Sequence, residues 1–405
     1  MRHLTLVEGA PPTPWDLSAE MAQALSTLEL AVVTRTPAST SWDLAAGSKV
    51  GVARVGDLQV TVRPKVPVDR VVFMVGYAQK PKFWRDHNVL LDVELEFADA
   101  LAESFRRLAN RALEHGLLHG YRSVDDTLPV VRGRIRVGDQ LSRRFGLGIP
   151  LEIRYDDFTA DIAENQLLLA AATRLLRMPT VTPAIRQSLQ RLRLQLADIT
   201  PLVRGLPTPD WAPSRLNTRY QPALHLAELI LAGDSFDQRV GDIQVSGFVF
   251  DMWRIYEDFV CVALREAMAQ YGGRSTLQHH MHLDESGDVA MRPDYVWIRG
   301  GEPAAVADAK YKAEKPSGFP QADLYQLLAY CTVLGLQEGH LVYAKGNEDA
   351  REHSVIGADV TIHCHTLDLA QHPRVLLGHV GTLASRIART PLGTVRGRRT
   401  ADSVL

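Results

Sequence analysis

The sequence predicts an α+β multidomain protein, in which a β-rich and helical N-terminal domain carries a β projection and an α/β domain follows at the C-terminus. The chain has 405 residues, which is more than one compact core usually holds. Residues 50–66 alternate apolar and polar side chains on both sides of Gly56-Asp57, a pattern typical of a β-hairpin. From about residue 243 the periodicity indicates a helix, three strands, a second helix and a further strand.

Changes of pattern along the chain divide it into five segments. After the hairpin, apolar residues recur at helical spacing over 92–118. The next stretch is rich in Gly, Pro, Arg and short β-type runs, without a good helix, and further helical segments follow it. We therefore expect an N-terminal β-hairpin and helix domain at 1–120, a β projection at 121–156, a helical connector at 157–240, the α/β domain at 241–380 and a basic tail at 381–405.

Composition and charge limit the class of protein. Hydrophobic residues make up 46% and charged residues 23%, with no low-complexity tract, so the chain is globular. The net charge of −2 provides no overall attraction to nucleic acid, so any DNA contact must depend on local basic patches. The three cysteines lie far apart and indicate no disulfide framework. Since neither a signal peptide nor a membrane-spanning apolar run is evident, we expect a cytoplasmic protein.

Two carboxylates and a lysine lie on neighbouring predicted strands of the C-terminal domain. Asp294 begins one strand, and Asp308 and Lys310 lie near the end of the next. Because side chains alternate along a strand, Asp308 and Lys310 project from one face, and the intervening turn can bring Asp294 beside them. Mg²⁺ prefers carboxylate oxygens and can activate water for phosphodiester hydrolysis, with Mn²⁺ as the alternative ion. The pattern therefore predicts a metal-dependent hydrolytic site.

A solvated hairpin face is the alternative interpretation of these residues, because an Asp-x-Lys pair is common. Two observations favour a site. Asp308 follows the small, apolar run 304–307, so it emerges from a buried strand, where a charge needs a partner. Lys310, Lys312 and Lys315 end a long lysine-free span in a chain whose cations are mostly arginine, and an ammonium differs chemically from a guanidinium.

The two flanking helices extend the candidate site. Gln326 and Tyr330 are four residues apart and therefore share one face of the second helix. Glu257 lies on the first helix among apolar residues at helical spacing. It is either a further carboxylate at the metal or an ordinary solvent-facing residue. Its neighbour Asp258 is the less favoured carboxylate.

The motifs RPDYVWIR, AVADAKYK and QADLYQLLAY, in this order, resemble the PD-(D/E)xK nucleases that carry a Gln-x-x-x-Tyr helix. With YEDFV upstream, they resemble more narrowly the McrC-type nuclease subunit of McrBC-like modification-dependent restriction systems. The resemblance extends to the hairpin and to the middle region, and so covers about residues 50–345. The first 45 residues show nothing that matches.

This resemblance implies a C-terminal domain with the PD-(D/E)xK restriction-endonuclease-like fold and a Mg²⁺-dependent DNA endonuclease activity. Asp294, Asp308 and Lys310 would be catalytic, with Glu257 and Gln326 in support. Asp294, Asp308 and Glu257 would bind the metal. The substrate would be double-stranded DNA, methylated or otherwise modified, and the activity would serve in defence against phage and other foreign DNA.

The resemblance also implies a partner, a hexameric AAA+ GTPase or ATPase of the McrB type, whose nucleotide hydrolysis the subunit stimulates. The chain contains no GxxxxGK[ST] loop, so that hydrolysis must belong to the partner. The projection at 121–156 would contact the partner. Arg132, Arg134 and Arg136 alternate along a predicted strand there and would reach it. A solvated strand face is the alternative for these arginines.

Two other functions stay open at this point. One is an autonomous RecB-type repair nuclease that needs no motor, and the other is a non-catalytic adaptor that only activates the motor. Zinc binding by the histidines and cysteine at 279–282 and 363–365 is disfavoured, because their spacing fits no common zinc pattern.

Overall fold

The chain folds into two units, which are described separately. In the computed structural model, the first unit comprises Met1–Glu94 with Ser235–Leu405, and the second comprises Leu95–Asp234. The mixture of helices and several sheets confirms the predicted α+β multidomain class. The structure describes residues 2–35, 41–86, 97–178, 181–203, 207–232, 234–240, 243–311, 321–344 and 350–389.

The strands and helices are numbered along the chain. The strands are β1 (Arg2–Val7), β2 (Thr13–Trp15), β3 (Ala31–Arg35), β4 (Trp42–Ala46), β5 (Lys49–Val55), β6 (Leu58–Arg63), β7 (Gly120–Leu128), β8 (Arg134–Ile135), β9 (Leu151–Thr159), β10 (Asp234–Val240), β11 (Ile243–Asp251), β12 (Arg274–Leu277), β13 (Met281–His282), β14 (Ala290–Met291), β15 (Tyr295–Arg299), β16 (Glu302–Lys310), β17 (Glu338–Ala344), β18 (Arg351–Ser354) and β19 (Thr361–Leu367). The α-helices are α1 (Ala19–Thr27), α2 (Val68–Gln79), α3 (Pro81–Asp86), α4 (Phe97–Leu113), α5 (Val137–Arg143), α6 (Ala163–Leu176), α7 (Pro183–Gln195), α8 (Gln221–Ala232), α9 (Met252–Met268), α10 (Gln321–Leu334) and α11 (Pro373–Arg389).

The predicted hairpin lies inside a five-stranded sheet of order β1-β6-β5-β11-β10. β5 pairs antiparallel with β6 across Gly56-Asp57, and Gly56 adopts φ 61°, a left-handed conformation that a residue without Cβ reaches at little cost. At its other edge β5 pairs with β11, so that Val55 lies opposite Val245 although the two are far apart in sequence. The hairpin prediction is confirmed, and the sheet joins the N-terminal residues to the chain that leads into the C-terminal part.

A six-stranded mixed sheet of order β12-β15-β16-β17-β19-β18 forms the core of the C-terminal part. β15 is antiparallel to β16, whereas β16, β17 and β19 run parallel to one another. α10 makes the crossover that a parallel pair requires, and it buries Leu327 in a cluster with Val306 and Leu341. α9 packs against β16 of the same sheet, and the Tyr256 hydroxyl donates a hydrogen bond to the Val342 carbonyl.

The second unit combines a helical core with the projection. Helices α4, α6, α7 and α8 pack on one another and bury Phe105, Leu168, Leu189 and Ile230 almost completely. The projection is a three-stranded antiparallel sheet of order β7-β9-β8, with α5 between β8 and β9. None of the helices that the structure describes is long and apolar enough to cross a membrane.

The contacts group the chain differently from the five predicted segments. α4, expected in one domain with the N-terminal hairpin, packs instead with α7 and α8 of the second unit. Residues 1–94 and 235–405 form a single unit, because the β5–β11 pairing joins the two stretches. This grouping into two units does not test the individual boundaries at 120, 156, 240 and 380, which stay predictions.

Two local expectations are wrong. The projection contains a helix, α5, which is only 7 residues long and is too short for the sustained apolar periodicity by which helices are found in sequences. Residues 381–389, expected in the basic tail, continue α11 and bury Leu383 and Ile387. The rest of the expected tail, and Lys312 and Lys315, lie outside the described residues.

Gly76 in α2 generates a test of the helix packing. A Cβ at this position would clash with the Trp84 ring, which is buried. We expect Gly76→Ala to lower the free energy of unfolding by about 2 kcal/mol, because the added methyl must displace the indole. Urea denaturation measures the change. In the control Gly378→Ala in α11, a Cβ meets nothing within 4 Å, so stability should rise by about 0.5–1 kcal/mol. If both substitutions stabilise the protein, the close packing of Gly76 against the Trp84 ring is contradicted.

Candidate active site

β15 and β16 carry the three residues predicted for a metal site. Asp294 immediately precedes β15, and Asp308 and Lys310 lie at the end of β16. Because Tyr295 pairs with Ala307 across these antiparallel strands, Asp294 comes to lie beside Asp308. The exposed fraction is 8% for Asp294 and 2% for Asp308, so both carboxylates are buried. The structure thus brings the predicted residues together.

Hydrogen bonds and an ion pair hold the two carboxylates. The Ala309 backbone N–H donates to Asp294 Oδ2 at 2.9 Å. Burial and then the charge of Asp294 raise the pKa of the Asp308 carboxyl. The Lys310 ammonium forms an ion pair with Asp308 Oδ2, and its side chain is also largely buried. These contacts offset part of the cost of removing two carboxylates from water.

α9 contributes a third carboxylate, Glu257. Its Oε1 accepts a hydrogen bond from Gln278 Nε2, which also donates to Asp294 Oδ1 at 3.2 Å. Glu257 is half-buried, whereas Asp258, the next residue on the helix, is exposed. The structure therefore brings Glu257 to the two aspartates, while Asp258 lies at the surface.

α10 places Gln326 and Tyr330 on one face. Gln326 Nε2 donates to Tyr330 Oη at 2.9 Å, with Tyr330 buried and Gln326 exposed. Burial raises the pKa of Tyr330 to about 12, and the charges of Asp308 and Asp294 act in the same direction. Tyr330 is therefore a neutral hydroxyl close to the carboxylates, and it anchors the exposed amide of Gln326.

Burial and mutual repulsion raise the pKa values of the carboxyl groups. Burial raises the pKa of Asp308 to about 7; the charge of Asp294 adds to this shift and Lys310 opposes it. Burial, with the charge of Glu257, raises the pKa of Asp294 to about 6. The pKa of Glu257 is also raised, by burial and then by the charge of Asp258. Burial alone would lower the pKa of Lys310, but its attraction to Asp308 raises that pKa and keeps the ammonium charged.

The donor set fits a hard cation such as Mg²⁺ in its chemistry, because carboxylate oxygens are the preferred protein ligands of that ion. Apart from its ion pair with Lys310, Asp308 Oδ2 is buried and accepts no regular hydrogen bond. Among the described residues, however, no three His, Cys, Asp or Glu side chains converge as metal ligands. The oxygens suit a cation, but their side chains must rearrange to coordinate one.

No sequence pattern indicates two further residues of this site. Gln278, after β12, adopts φ 51°, and its amide contacts Glu257 and Asp294. It stands in a polar run whose pattern does not indicate which way the side chain points. Asp323, in the first turn of α10, is buried and accepts a hydrogen bond from the Tyr343 hydroxyl at 3.0 Å. An acidic residue in a first helical turn is so common that it provides no signal of a site.

The projection arginines do not alternate along one strand, so that expectation is wrong. β8 contains Arg134 alone of the three, because the chain pairs with β9 over only two residues before it enters α5. Arg132 pairs with Asp157 at 2.7 Å, and Arg136 pairs with Asp125 at 3.3 Å. Two of the three arginines are therefore engaged within the projection itself.

The histidines considered for zinc lie in two separate groups. Residues 279–282 follow β12, whereas His363 and His365 lie on β19 and stack against His340 of β17. Burial lowers the pKa of His365 to about 4 and holds that of His340 well below its usual value. The rings of His340 and His365 are thus neutral near pH 7, and within the described ranges the three histidines form no metal-ligating group.

The pKa values of Asp294 and Asp308 predict that the metal-free protein loses stability as the pH rises. Both carboxyls hold protons more tightly in the folded state than in the unfolded chain, where the pKa is about 3.9. The penalty for ionising them is therefore absent below pH 4 and complete above pH 7. In EDTA, we expect the free energy of unfolding of wild type to fall between about pH 4 and pH 8 by about 3 kcal/mol more than that of Asp308→Asn. Urea denaturation at each pH measures both values.

Asp284 provides a control of opposite sign. Hydrogen bonds from Ser286 and from the Val289 N–H lower the pKa of this carboxyl to about 2, so its contribution to stability is lost as the pH falls. Relative to Asp284→Asn, wild type should gain stability as the pH rises from 2 to 5. If the free energy of unfolding changes with pH in the same way in wild type and in Asp308→Asn, the proposed cost of ionising the buried carboxyl of Asp308 is contradicted.

This chain is similar in fold to a protein of known structure. The chain is similar to a chain of the refined half-complex from a tetradecameric assembly of Thermococcus gammatolerans McrB AAA+ hexamers with bound McrC, with a TM-score of 0.57 and 16% identity over 95% of this chain and 100% of that chain. A chain of the cryo-EM structure of the Thermococcus gammatolerans McrBC complex matches with a TM-score of 0.38 and 18% identity, over 67% of this chain and 89% of that chain. A search of curated proteins found no match.

A family model provides the assignment. The model described as McrBC 5-methylcytosine restriction system component matches residues 44–344, which is well over half of the chain and spans the hairpin, the projection and the candidate site. The likeness to the first solved structure covers nearly the whole chain and agrees with this result in fold. The family resemblance noted in the motifs is thereby confirmed, and this chain belongs to the McrBC 5-methylcytosine restriction system component family.

Proposed function

We propose that this chain is the McrC-type nuclease subunit of an McrBC-like restriction complex, and that it cuts double-stranded DNA in the cytoplasm with Mg²⁺ or Mn²⁺. The observation that carries the proposal is the pair of buried carboxylates, Asp294 and Asp308, beside a charged Lys310 on adjoining strands. Burial raises the pKa values of both carboxyls, and carboxyls perturbed in this way are typical of functional sites. Family membership and the fold support it.

Each residue of the site has a role in this proposal. Asp294, Asp308 and Glu257 would hold the metal, which when bound activates water and neutralises charge on the scissile phosphate. Lys310 keeps its charge because of Asp308 and would stabilise the negative charge that develops on the phosphate. Gln326, exposed on α10, would donate a hydrogen bond to the DNA backbone.

The proposed partner is an McrB-type AAA+ GTPase or ATPase hexamer. The solved assembly to which this chain is similar in fold contains McrB AAA+ hexamers with bound McrC. This chain has no GxxxxGK[ST] loop, so a separate protein would hydrolyse the nucleotide and deliver modified DNA. The nuclease would then act only inside the complex.

Substitution of Asp308 separates cutting from activation of the motor. We expect the complex with Asp308→Asn to lose DNA cleavage by at least about 100-fold, because a buried ligand oxygen is lost, while nucleotide hydrolysis stays at the wild-type rate. Gel assays of DNA cleavage and phosphate release measure the two activities. Glu285→Gln, in the exposed turn between β13 and β14, should change neither activity.

Two results would favour the rival functions. Cleavage by the purified chain alone, at the rate of the complex, would indicate an autonomous RecB-type repair nuclease. Cleavage by the complex that is unchanged in Asp308→Asn would indicate a non-catalytic adaptor and would locate the cutting site elsewhere.

The outer end of the projection offers a surface for the proposed partner. β7 and β9 pair as far as Leu128 and Leu151, and the chain between them exposes a series of apolar side chains. They are Val130, Val131, Val137, Leu141, Phe145, Leu147 and Ile149. Apolar residues gathered at one end of a soluble protein mark an interaction surface. Arg134 makes no ion pair with any described residue, so it remains a candidate contact beside them.

Phe145, which is 86% exposed, tests this surface. We expect Phe145→Asp to weaken binding to the AAA+ partner at least about tenfold and to abolish stimulation of nucleotide hydrolysis, because an exposed aromatic is a typical anchor of an interface. Sedimentation and phosphate release measure the two effects. Leu216→Asp is the matched control, since Leu216 is 81% exposed and lies in the same unit outside the projection. If Phe145→Asp and Leu216→Asp bind the partner and stimulate nucleotide hydrolysis equally well, the outer end of the projection is not the contact.

A further inference from the structure

Gln278 lies between two carboxylates of the candidate metal site. Its Nε2 donates to Glu257 Oε1 and, at 3.2 Å, to Asp294 Oδ1. The two acceptors belong to α9 and to the residue that precedes β15, so a single amide group ties the helix to the sheet at the site. None of the motifs that indicated the site includes Gln278.

The backbone at Gln278 is fixed independently of this amide. Its φ of 51° lies in the left-handed region, which a residue with a Cβ rarely adopts. The Gln278 N–H donates to the Asp294 carbonyl at 2.9 Å, and the His279 N–H donates to the Pro293 carbonyl at 3.1 Å. These backbone hydrogen bonds hold the turn after β12 and direct the side chain toward the carboxylates. Strained backbone of this kind is found preferentially at functional sites.

The amide contacts carboxylate oxygens that a divalent cation at this site would also be expected to contact. It presents positively polarised hydrogens to one oxygen of each carboxylate, whereas a divalent cation would present its charge to the same oxygens. A cation that bound to these same oxygens would have to displace the amide. Among the described residues, no three candidate ligands converge with the amide in this position. A neutral group thus keeps Glu257 and Asp294 close together despite their like charges.

We propose that Gln278 is a positioning residue that reserves the metal position, holding Glu257 and Asp294 together until a divalent cation displaces its amide. The inference rests on the proposed function, because it takes these carboxylates as metal ligands. It adds that the chain carries an internal competitor for its own metal. Removal of the competitor should therefore strengthen metal binding, although removal of an ordinary structural residue would weaken it.

Two variants at residue 278 test the proposal. Gln278→Gly fits the left-handed backbone and removes the side-chain amide, whereas Gln278→Glu keeps the shape and replaces the NH₂ by an oxygen, which adds a fourth carboxylate to the site. Mn²⁺ is added alone to the full chain, without DNA, and the free ion is followed by electron paramagnetic resonance. We expect the Kd of Gln278→Gly to be about fivefold lower than that of wild type, and the Kd of Gln278→Glu to be lower still.

A second readout separates positioning from general damage to the fold. In EDTA at pH 8, Gln278→Glu should unfold at a lower temperature than wild type, because a fourth carboxylate then repels those of Glu257, Asp294 and Asp308, and added Mn²⁺ should abolish the difference. Gln337→Ala is the matched control. Gln337 Nε2 donates to Asp359 Oδ2 in a bond of the same kind outside the site, so its loss should leave the Kd for Mn²⁺ unchanged.

Asp308→Asn distinguishes failure of this inference from failure of the proposed function. If wild type and Asp308→Asn bind Mn²⁺ equally, the carboxylates are not the metal ligands, and both proposals fail. If Asp308→Asn abolishes binding while Gln278→Gly binds Mn²⁺ no more tightly than wild type, the metal site stands and the role of Gln278 is overturned. If Gln278→Gly binds Mn²⁺ more tightly than wild type and Gln337→Ala has the Kd of wild type, the proposal is supported.

Discussion

The burial of charge between two strands is the constraint on which the candidate site depends. β15 and β16 remove Asp294 and Asp308 from water, where each carboxylate alone would be costly. Lys310, the Ala309 N–H and the Gln278 amide offset this cost only in part, so the pKa values of both carboxyls stay raised. Such a pair persists only because the surrounding sheet and helices are held by their own packing.

Part of that support comes from the N-terminal residues. Tyr311 directly follows Lys310, and its hydroxyl donates to Glu8 Oε2 at 2.7 Å. The Lys65 ammonium lies 5.1 Å from the centre of the Tyr311 ring, and its backbone N–H donates to Glu8 as well. Glu8 follows β1 and Lys65 follows β6, so the N-terminal sheet contacts the end of the strand that carries Asp308 and Lys310. This contact adds to the β5–β11 pairing that joins residues so distant in sequence into one unit.

In the projection, charged and apolar side chains act in different ways. Arg132 and Arg136 pair with aspartates of the neighbouring strands, and Arg154 pairs with Asp125. These exposed ion pairs contribute little individually, but together they fix the shape of a small sheet that has a limited core. Apolar side chains remain uncovered at the outer end. In the proposed complex, affinity would therefore come mainly from apolar contacts, with the arginines maintaining the geometry.

The sequence by itself determined the fold class, the hairpin about Gly56 and the family, because these depend on local periodicity and short motifs. It also indicated that Asp294, Asp308 and Lys310 would meet, since strand alternation and one turn suffice to bring them together. The tertiary structure alone decided that Gln278 faces the carboxylates and that α4 belongs to the second unit. Both outcomes depend on contacts between distant parts of the chain and, at Gln278, on a left-handed backbone that no local pattern encodes.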